Sequence, residues 1–195
     1  MRLLVCVILL LLPLFSLAQS ELRDGDSITE LELPNVYGQI VDMKKGADKG
    51  LCVIFTNHHC HYASLYLNRI AELSNQYGPK GIKFILVESQ IESFKEPIES
   101  LQEFIKNNHI QTEYLIDITG KLARQFGAVS SPEAFLMKKE NSQFHLVYSG
   151  SIDNNSRKPE RASRRYLKNA LDHVINDQEL IRKKTKSIGC TIGKD

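Results

Sequence analysis

The sequence predicts an α/β domain in which a mixed central sheet carries helices on both faces. Strand-length runs at Leu51–Phe55, continuously apolar, and at Ile82–Val87, apolar apart from Lys83, have the pattern of buried strands. Segments with apolar residues at helical spacing alternate with them, as in βαβ units. Two further strand-like runs joined by a polar turn lie near the end of the chain, so a parallel core gives way to an antiparallel hairpin. At roughly 150 residues per domain, the 195 residues suit one domain.

Residues 1–18 stand apart from that domain. A single Arg2 precedes an apolar run from Leu3 to Phe15, and Ser16-Leu17-Ala18 follows as a small-x-small cleavage site. This is the order of a secretory signal peptide. The run is shorter than the roughly 20 residues of a spanning helix, and Pro13 interrupts it. Cleavage after Ala18 makes Gln19 the mature N-terminus and leaves a domain over 19–195. The expected location is a bacterial periplasm or the exterior, with no membrane span after cleavage.

Within the domain, Leu31-Glu32-Leu33 alternates and runs into Pro34, which suits a short edge strand. Gly38–Val41 gives a second strand after a turn. Leu51–Phe55 reads as the central strand. From Cys60 to Tyr77, the residues Ala63, Tyr66, Leu67, Ile70 and Leu73 recur at helical spacing, and Gly78 ends the helix. Ile82–Val87 is the next strand, and Pro97–Asn108 an amphipathic helix with Leu101, Phe104 and Ile105 inward. Thr112–Ile116 and Gly120–Phe126 read as a short strand and a short helix. Ala134–Met137 and Phe144–Tyr148 are strands around a Lys138–Ser142 turn. Glu160–Ile175 is a last long helix with Leu167, Ala170, Leu171 and Val174 on one face.

Lys plus Arg number 25 against 23 Asp plus Glu, a net charge of +2, which excludes the basic excess of a nucleic-acid binder. Four cysteines are too few for a disulfide-stapled scaffold. Cys6 falls in the signal segment, and Cys52 lies mid-strand as an inert core residue. Cys60 and Cys190 remain. Cys60 follows Asn57-His58-His59 and precedes His61, between a buried strand and a helix. The start of a helix stabilises a thiolate, and neighbouring imidazoles add positive charge or accept protons. Downstream, Ser130-Ser131-Pro132 enters the next strand, a setting compatible with a cis peptide bond.

These residues carry a resemblance. The strand, Phe55-Thr56, Cys60, long helix and later Ser131-Pro132-Glu133-Ala134-Phe135-Leu136 resemble the thioredoxin-like redoxins, in particular exported members related to the alkyl hydroperoxide reductase/thiol-specific antioxidant group. Tyr148-Ser149-Gly150-Ser151-Ile152-Asp153-Asn154-Asn155 and Gly189-Cys190-Thr191-Ile192 match two further stretches of that group, and the resemblance spans residues 24–193. It implies a thioredoxin-like fold and a cis-proline loop at Pro132 facing the active-site helix. The chain departs from the pattern at one decisive place: Asn57 stands where the family has its first active-site cysteine, and His61 stands where a proline follows the second.

Three functions remain open on these residues. One is a thiol redox protein, of thiol–disulfide or peroxide-reducing antioxidant type, working through Cys60, with Asn57 as helix cap, His58, His59 and His61 modulating ionisation, and Cys190 as a resolving thiol if the tail folds back. Its partner would be a thiol or disulfide protein or a small peroxide, with no cofactor. Peroxiredoxins place Thr-x-x-Cys at this position, which Asn57-x-x-Cys60 approximates, but their upstream proline is Val53 here. The second is a degenerate redoxin that holds an extended peptide at the cis-proline loop without catalysis. The third is a copper or zinc site from His58, His59 and His61 with Cys60, against which stands the way consecutive residues point apart.

Overall fold

The computed structural model describes residues 22–28, 31–89 and 97–192. In chain order the elements are β1 (Glu32–Pro34), β2 (Ile40–Asp42), β3 (Gly50–Thr56), α1 (His61–Ser64), α2 (Leu67–Tyr77), β4 (Ile82–Glu88), α3 (Ile98–Asn107), β5 (Glu113–Ile116), α4 (Lys121–Phe126), β6 (Ser130–Ser131), β7 (Glu133–Glu140), β8 (Gln143–Gly150), α5 (Tyr166–Ile175) and β9 (Cys190–Thr191). The expected signal peptide at residues 1–18 lies outside the described residues.

Five strands build the central sheet in the order β5-β4-β3-β7-β8. β3 pairs with β4 in parallel from Gly50↔Ile82 to Thr56↔Glu88, and β4 pairs in parallel with β5. β7 runs antiparallel to β3, so Phe55 sits opposite Glu133. The carboxyl ends of β3 and β4 and the start of β7 therefore share one end of the sheet. In open α/β sheets the end where parallel strands finish is where sites are built, and the Asn57–Cys60 loop and Pro132 both emerge there.

All seven residues of β3 are buried, because its two faces feed two cores. Cys52 and Ile54 join Tyr66, Ile70 and Tyr77 from the α1–α2 side and Leu167, Ala170, Leu171 and Val174 from α5. Leu51, Val53 and Phe55 face Leu122, Ala123 and Phe126 of α4, together with Leu31, Met43 and Ile192. Helices on both faces follow from that double burial, as the sequence predicted.

Several boundaries differ from the sequence reading, each for a local reason. The hairpin turn contracts from Lys138–Ser142 to Asn141 and Ser142, which hold φ of 48° and 70°. Two consecutive left-handed residues make the turn whose twist matches the flanking strands, so β7 and β8 extend up to it. The helix expected over Cys60–Tyr77 breaks at Leu65–Tyr66. The Leu65 carbonyl leaves the ladder and accepts from the Arg69 guanidinium at 2.9 Å, a side-chain insertion of the kind that kinks helices. The last helix begins at Tyr166, not Glu160. The preceding segment closes on itself, with the Asn154 N–H donating to the Arg164 carbonyl and the Arg164 N–H to the Asn154 side chain. β6 and β9, two residues each, were too short to leave a periodic signal.

Arg69 is the polar centre of the α2 side. Its guanidinium donates to Asp153 Oδ2 and to the carbonyls of Asn155 and Ser156, and lies 3.8 Å over the Tyr66 ring. Tyr66 in turn donates to Asp153 Oδ1 at 3.2 Å. Arg69 and Asp153 are both buried, so removing one partner leaves the other charge uncompensated. Asp153→Ala is expected to destabilise the fold by about 3 kcal/mol, measured as a lower midpoint in chemical denaturation, with an unchanged midpoint as the contrary result.

Candidate redox site

The loop between β3 and α1 is organised by its own first residue. Asn57 Oδ1 accepts the His59 N–H at 2.7 Å, and the Asn57 carbonyl accepts the Cys60 N–H at 3.0 Å. Residues 57–60 thus close as a turn before any helix begins. Cys60, with extended backbone at φ −81° and ψ 113°, occupies the N-cap position, and α1 starts at His61. This corrects the expectation that Asn57 caps the helix: its side chain is used inside the turn. It also corrects the long helix behind Cys60. α1 has four residues, too short a stack of peptide dipoles to carry the thiolate argument by itself.

Cys60 is bonded to Cys190, 130 residues away in sequence, with Cα atoms 5.9 Å apart. The tail therefore does fold back over the site, the condition under which Cys190 was a candidate partner. Two backbone pairs bring it there. β9 runs antiparallel to β6, with Ser131 opposite Cys190 and Ser130 opposite Thr191. The Ser131–Pro132 bond is cis, as the resemblance implied, and Pro132 follows directly on the paired residue. Cys60 is only 3% exposed, and its sulfur lies 3.2 Å from the Ser131 carbonyl oxygen. Cys190 is partly exposed.

The tail is held on both sides of Cys190 by contacts that do not involve sulfur. Ile192 is 2% exposed within the α4-side core, and its N–H donates to the Val129 carbonyl at 3.1 Å. On the other side, a Cβ at Gly189 would collide with the Ser131 carbonyl oxygen, so only glycine permits this approach. Further back, Thr185 Oγ1 accepts the Ser151 N–H and shares a hydrogen bond with the Tyr148 hydroxyl. Gly150, at φ 136°, leaves space for the Thr185 backbone, where a Cβ would overlap the Thr185 carbonyl oxygen. Of the Tyr148–Asn155 stretch noticed in the sequence, Tyr148, Gly150 and Ser151 thus receive the tail at Thr185, and Asp153 serves the Arg69 cluster next to it.

Glu133 joins the tail to the proline loop. One carboxylate oxygen accepts the N–H groups of Val129 (2.9 Å) and Ser130 (3.2 Å), and the other accepts the Ser187 hydroxyl at 3.3 Å. Burial pushes its pKa above the usual carboxylate range, against the pull of those donors. Beneath the loop lies a second carboxylate the sequence reading did not single out. Glu88, at the end of β4, is fully buried and accepts the Tyr114 hydroxyl at 2.7 Å and the His58 N–H at 3.1 Å. Burial, reinforced by Glu88, holds the Tyr114 hydroxyl well above its ordinary pKa. The one available signal was an acidic residue at the end of the apolar Ile82–Val87 run.

The histidines do not act as a group. The His58 ring turns inward, with Nδ1 3.3 Å from Glu88 Oε2, close enough for an ion pair but not aligned as a hydrogen bond. The His59 ring lies against the His58 ring, centres 3.8 Å apart and tilted by 42°, and both His59 and His61 are exposed. Among the described residues no three His, Cys, Asp or Glu side chains come together as a metal set, and the Cys60 sulfur is already bonded. The copper or zinc expectation at His58, His59 and His61 with Cys60 finds no such set among the described residues. Cys52 is the free cysteine of the described residues; burial alone pushes its thiol far up, as expected for a core residue.

Comparisons with known proteins agree with this architecture. A model of the AhpC/TSA family matches residues 25–148. Among solved structures, an uncharacterized conserved protein from Geobacillus kaustophilus superposes with a TM-score of 0.76 at 23% identity, covering 89% of this chain and 93% of that one. Peroxidoxin BcpB from Mycobacterium tuberculosis gives 0.59 at 14% identity, over 80% and 98%. The thioredoxin domain of a thiol-disulfide oxidoreductase from Bacteroides vulgatus gives 0.53 at 15%, over 65% and 89%. No curated protein matches the chain. At these identities the structures speak for a shared thioredoxin-like fold, while the family match covers most of the chain: the protein is a thioredoxin-fold redoxin and belongs to the AhpC/TSA family.

Proposed function

We propose that the protein is an exported thiol–disulfide oxidoreductase whose redox couple is Cys60 with Cys190, acting on a thiol- or disulfide-bearing protein. The observation that carries this reading is the Cys60–Cys190 bond beside the cis-Pro132 loop. A dithiol cycle needs two sulfurs that can bond and separate, and Asn57 had removed one from the local motif. The tail supplies the replacement, so two electrons can be stored and passed on by exchange through a mixed disulfide. This arrangement also withdraws the reason for a non-catalytic reading, which rested on Cys60 lacking a partner. A peroxide substrate is less favoured, because Cys60 is buried against the Ser131 carbonyl and a peroxide must reach a thiolate.

Export rests on the Leu3–Phe15 run and the Ser16-Leu17-Ala18 cleavage site, and a persistent disulfide suits an oxidising compartment. Among the described residues no helix is long and apolar enough to cross a membrane.

The mature protein should accelerate insulin reduction by dithiothreitol. Cys60→Ser and Cys190→Ser should each lower the turnover at least ~100-fold, since either change removes one half of the couple. Full turnover retained by either variant would sink the proposal, and turnover with hydrogen peroxide exceeding that with insulin would shift it to the peroxide reading. For the export half, N-terminal sequencing of protein recovered outside the cytoplasm should begin at Gln19; recovery of uncleaved chain in the cytoplasm alone would contradict it.

A further inference from the structure

We infer that Cys190, carried by the tail, is the sulfur that meets the partner, and that Cys60, at the motif position, is the buried sulfur that closes the cycle. This rests on the oxidoreductase reading above, and it reverses the roles the sequence alone assigned, in which Cys60 was the reactive thiol and Cys190 the resolving one.

Two observations carry it. The first is access. Exchange at a disulfide proceeds in line, the incoming thiolate approaching along the extension of the bond that breaks. Attack on Cys60 would have to come through a residue that is 3% exposed and whose sulfur lies 3.2 Å from the Ser131 carbonyl. Cys190 is partly exposed on β9. The second is positioning. Cys190 does not depend on the disulfide for its place: Ile192 is anchored in the core, Gly189 is fitted against Ser131, and β9 stays paired with β6. A reduced Cys190 is presented at the site rather than released into solvent, which is what a nucleophile requires.

In the reducing direction, the Cys190 thiolate attacks one sulfur of the partner's disulfide. A Cys190–partner bond forms, the partner's own S–S bond breaks, and the departing partner sulfur takes up the proton that Cys190 had lost. Cys60 then gives up its proton and its thiolate attacks the Cys190 sulfur; the Cys60–Cys190 bond forms, the Cys190–partner bond breaks, and the second partner sulfur leaves and takes up that proton. Two electrons and two protons pass from protein to partner. The oxidising direction is the reverse, with a partner thiolate attacking Cys190 and Cys60 leaving.

The wild-type protein tests this without substitution. The oxidised form is mixed with glutathione, quenched in acid within the first turnover and mapped by mass spectrometry. The glutathione adduct on Cys190 should exceed that on Cys60 at least ~10-fold, as accessibility sets the site of attack. An adduct centred on Cys60, shared equally, or absent from both overturns the assignment. A second measurement uses the reduced single variants with dithiodipyridine. Cys190 in Cys60→Ser should react within ~3-fold of the faster wild-type phase, and Cys60 in Cys190→Ser at least ~30-fold more slowly; Cys60 reacting at the wild-type rate overturns it. The two proposals fail separately. A wild-type protein without insulin turnover removes the oxidoreductase reading, whereas full turnover with the adduct on Cys60 removes only the division of roles between the two sulfurs.

Discussion

The antiparallel pairing of Cys190–Thr191 with Ser130–Ser131 is the constraint on which the site depends. It involves two residues on each strand, yet it places a cysteine 130 residues distant beside Cys60. Without it the redoxin motif holds a single buried sulfur. The pairing exists because β3, β4 and β7 all terminate or begin at one end of the sheet, so the loop after β3 and the loop before β7 face one another across a short gap. The chain then needs only a strand laid across that gap. Glycine at 189 lets the strand come within contact of the Ser131 carbonyl, and Ile192 fastens its far end in the core.

Much of this was legible in the sequence, for reasons that can be traced to residues. The central strands were visible because burial on both faces demands largely apolar runs, and Leu51–Phe55 and, apart from Lys83, Ile82–Val87 supply them. The inward faces of α3 and α5 were visible because Leu101, Leu167, Ala170, Leu171 and Val174 keep helical period. What stayed hidden was nonlocal. The break at Leu65–Tyr66 is set by Arg69 and its ties to residues beyond position 150, and no local pattern encodes it. β6 and β9 are too short for periodicity, and the Cys60–Cys190 pairing depends on a tail whose path is set by polar contacts at Ser151, Thr185 and Ser187. The sequence exposed the substitution at Asn57 and offered Cys190 as a candidate partner, but not the path that brings it to Cys60.

The buried carboxylates show how the site end of the sheet is kept polar without being left open. Glu133 commits its oxygens to loop amides and to Ser187, and Glu88 commits one to Tyr114 and the His58 amide. Each ties a loop to the sheet end beside it, and a buried acceptor that satisfies several donors fixes their geometry as well as their energy. The loop that carries Cys60 and the loop that carries Pro132 are therefore braced from beneath, and the disulfide bridges two supports that are already set.

The outer strand of the sheet, β8, draws a different consequence from the path of the tail. Its free margin is covered over part of its length by the segment after residue 22, where Gly25, Asp26 and Ile28 exchange backbone bonds with Phe144 and Leu146, and at its far end by the tail, where Lys183 and Thr185 bond to Ser149. Lys183 and Asp24 join the two covers to each other at 2.8 Å. An uncovered strand margin invites pairing with other chains, so both ends of the domain serve as guards against aggregation. Cys190 lies on the tail that forms one of those covers, so the sulfur bonded to Cys60 and the cover of β8 belong to one segment.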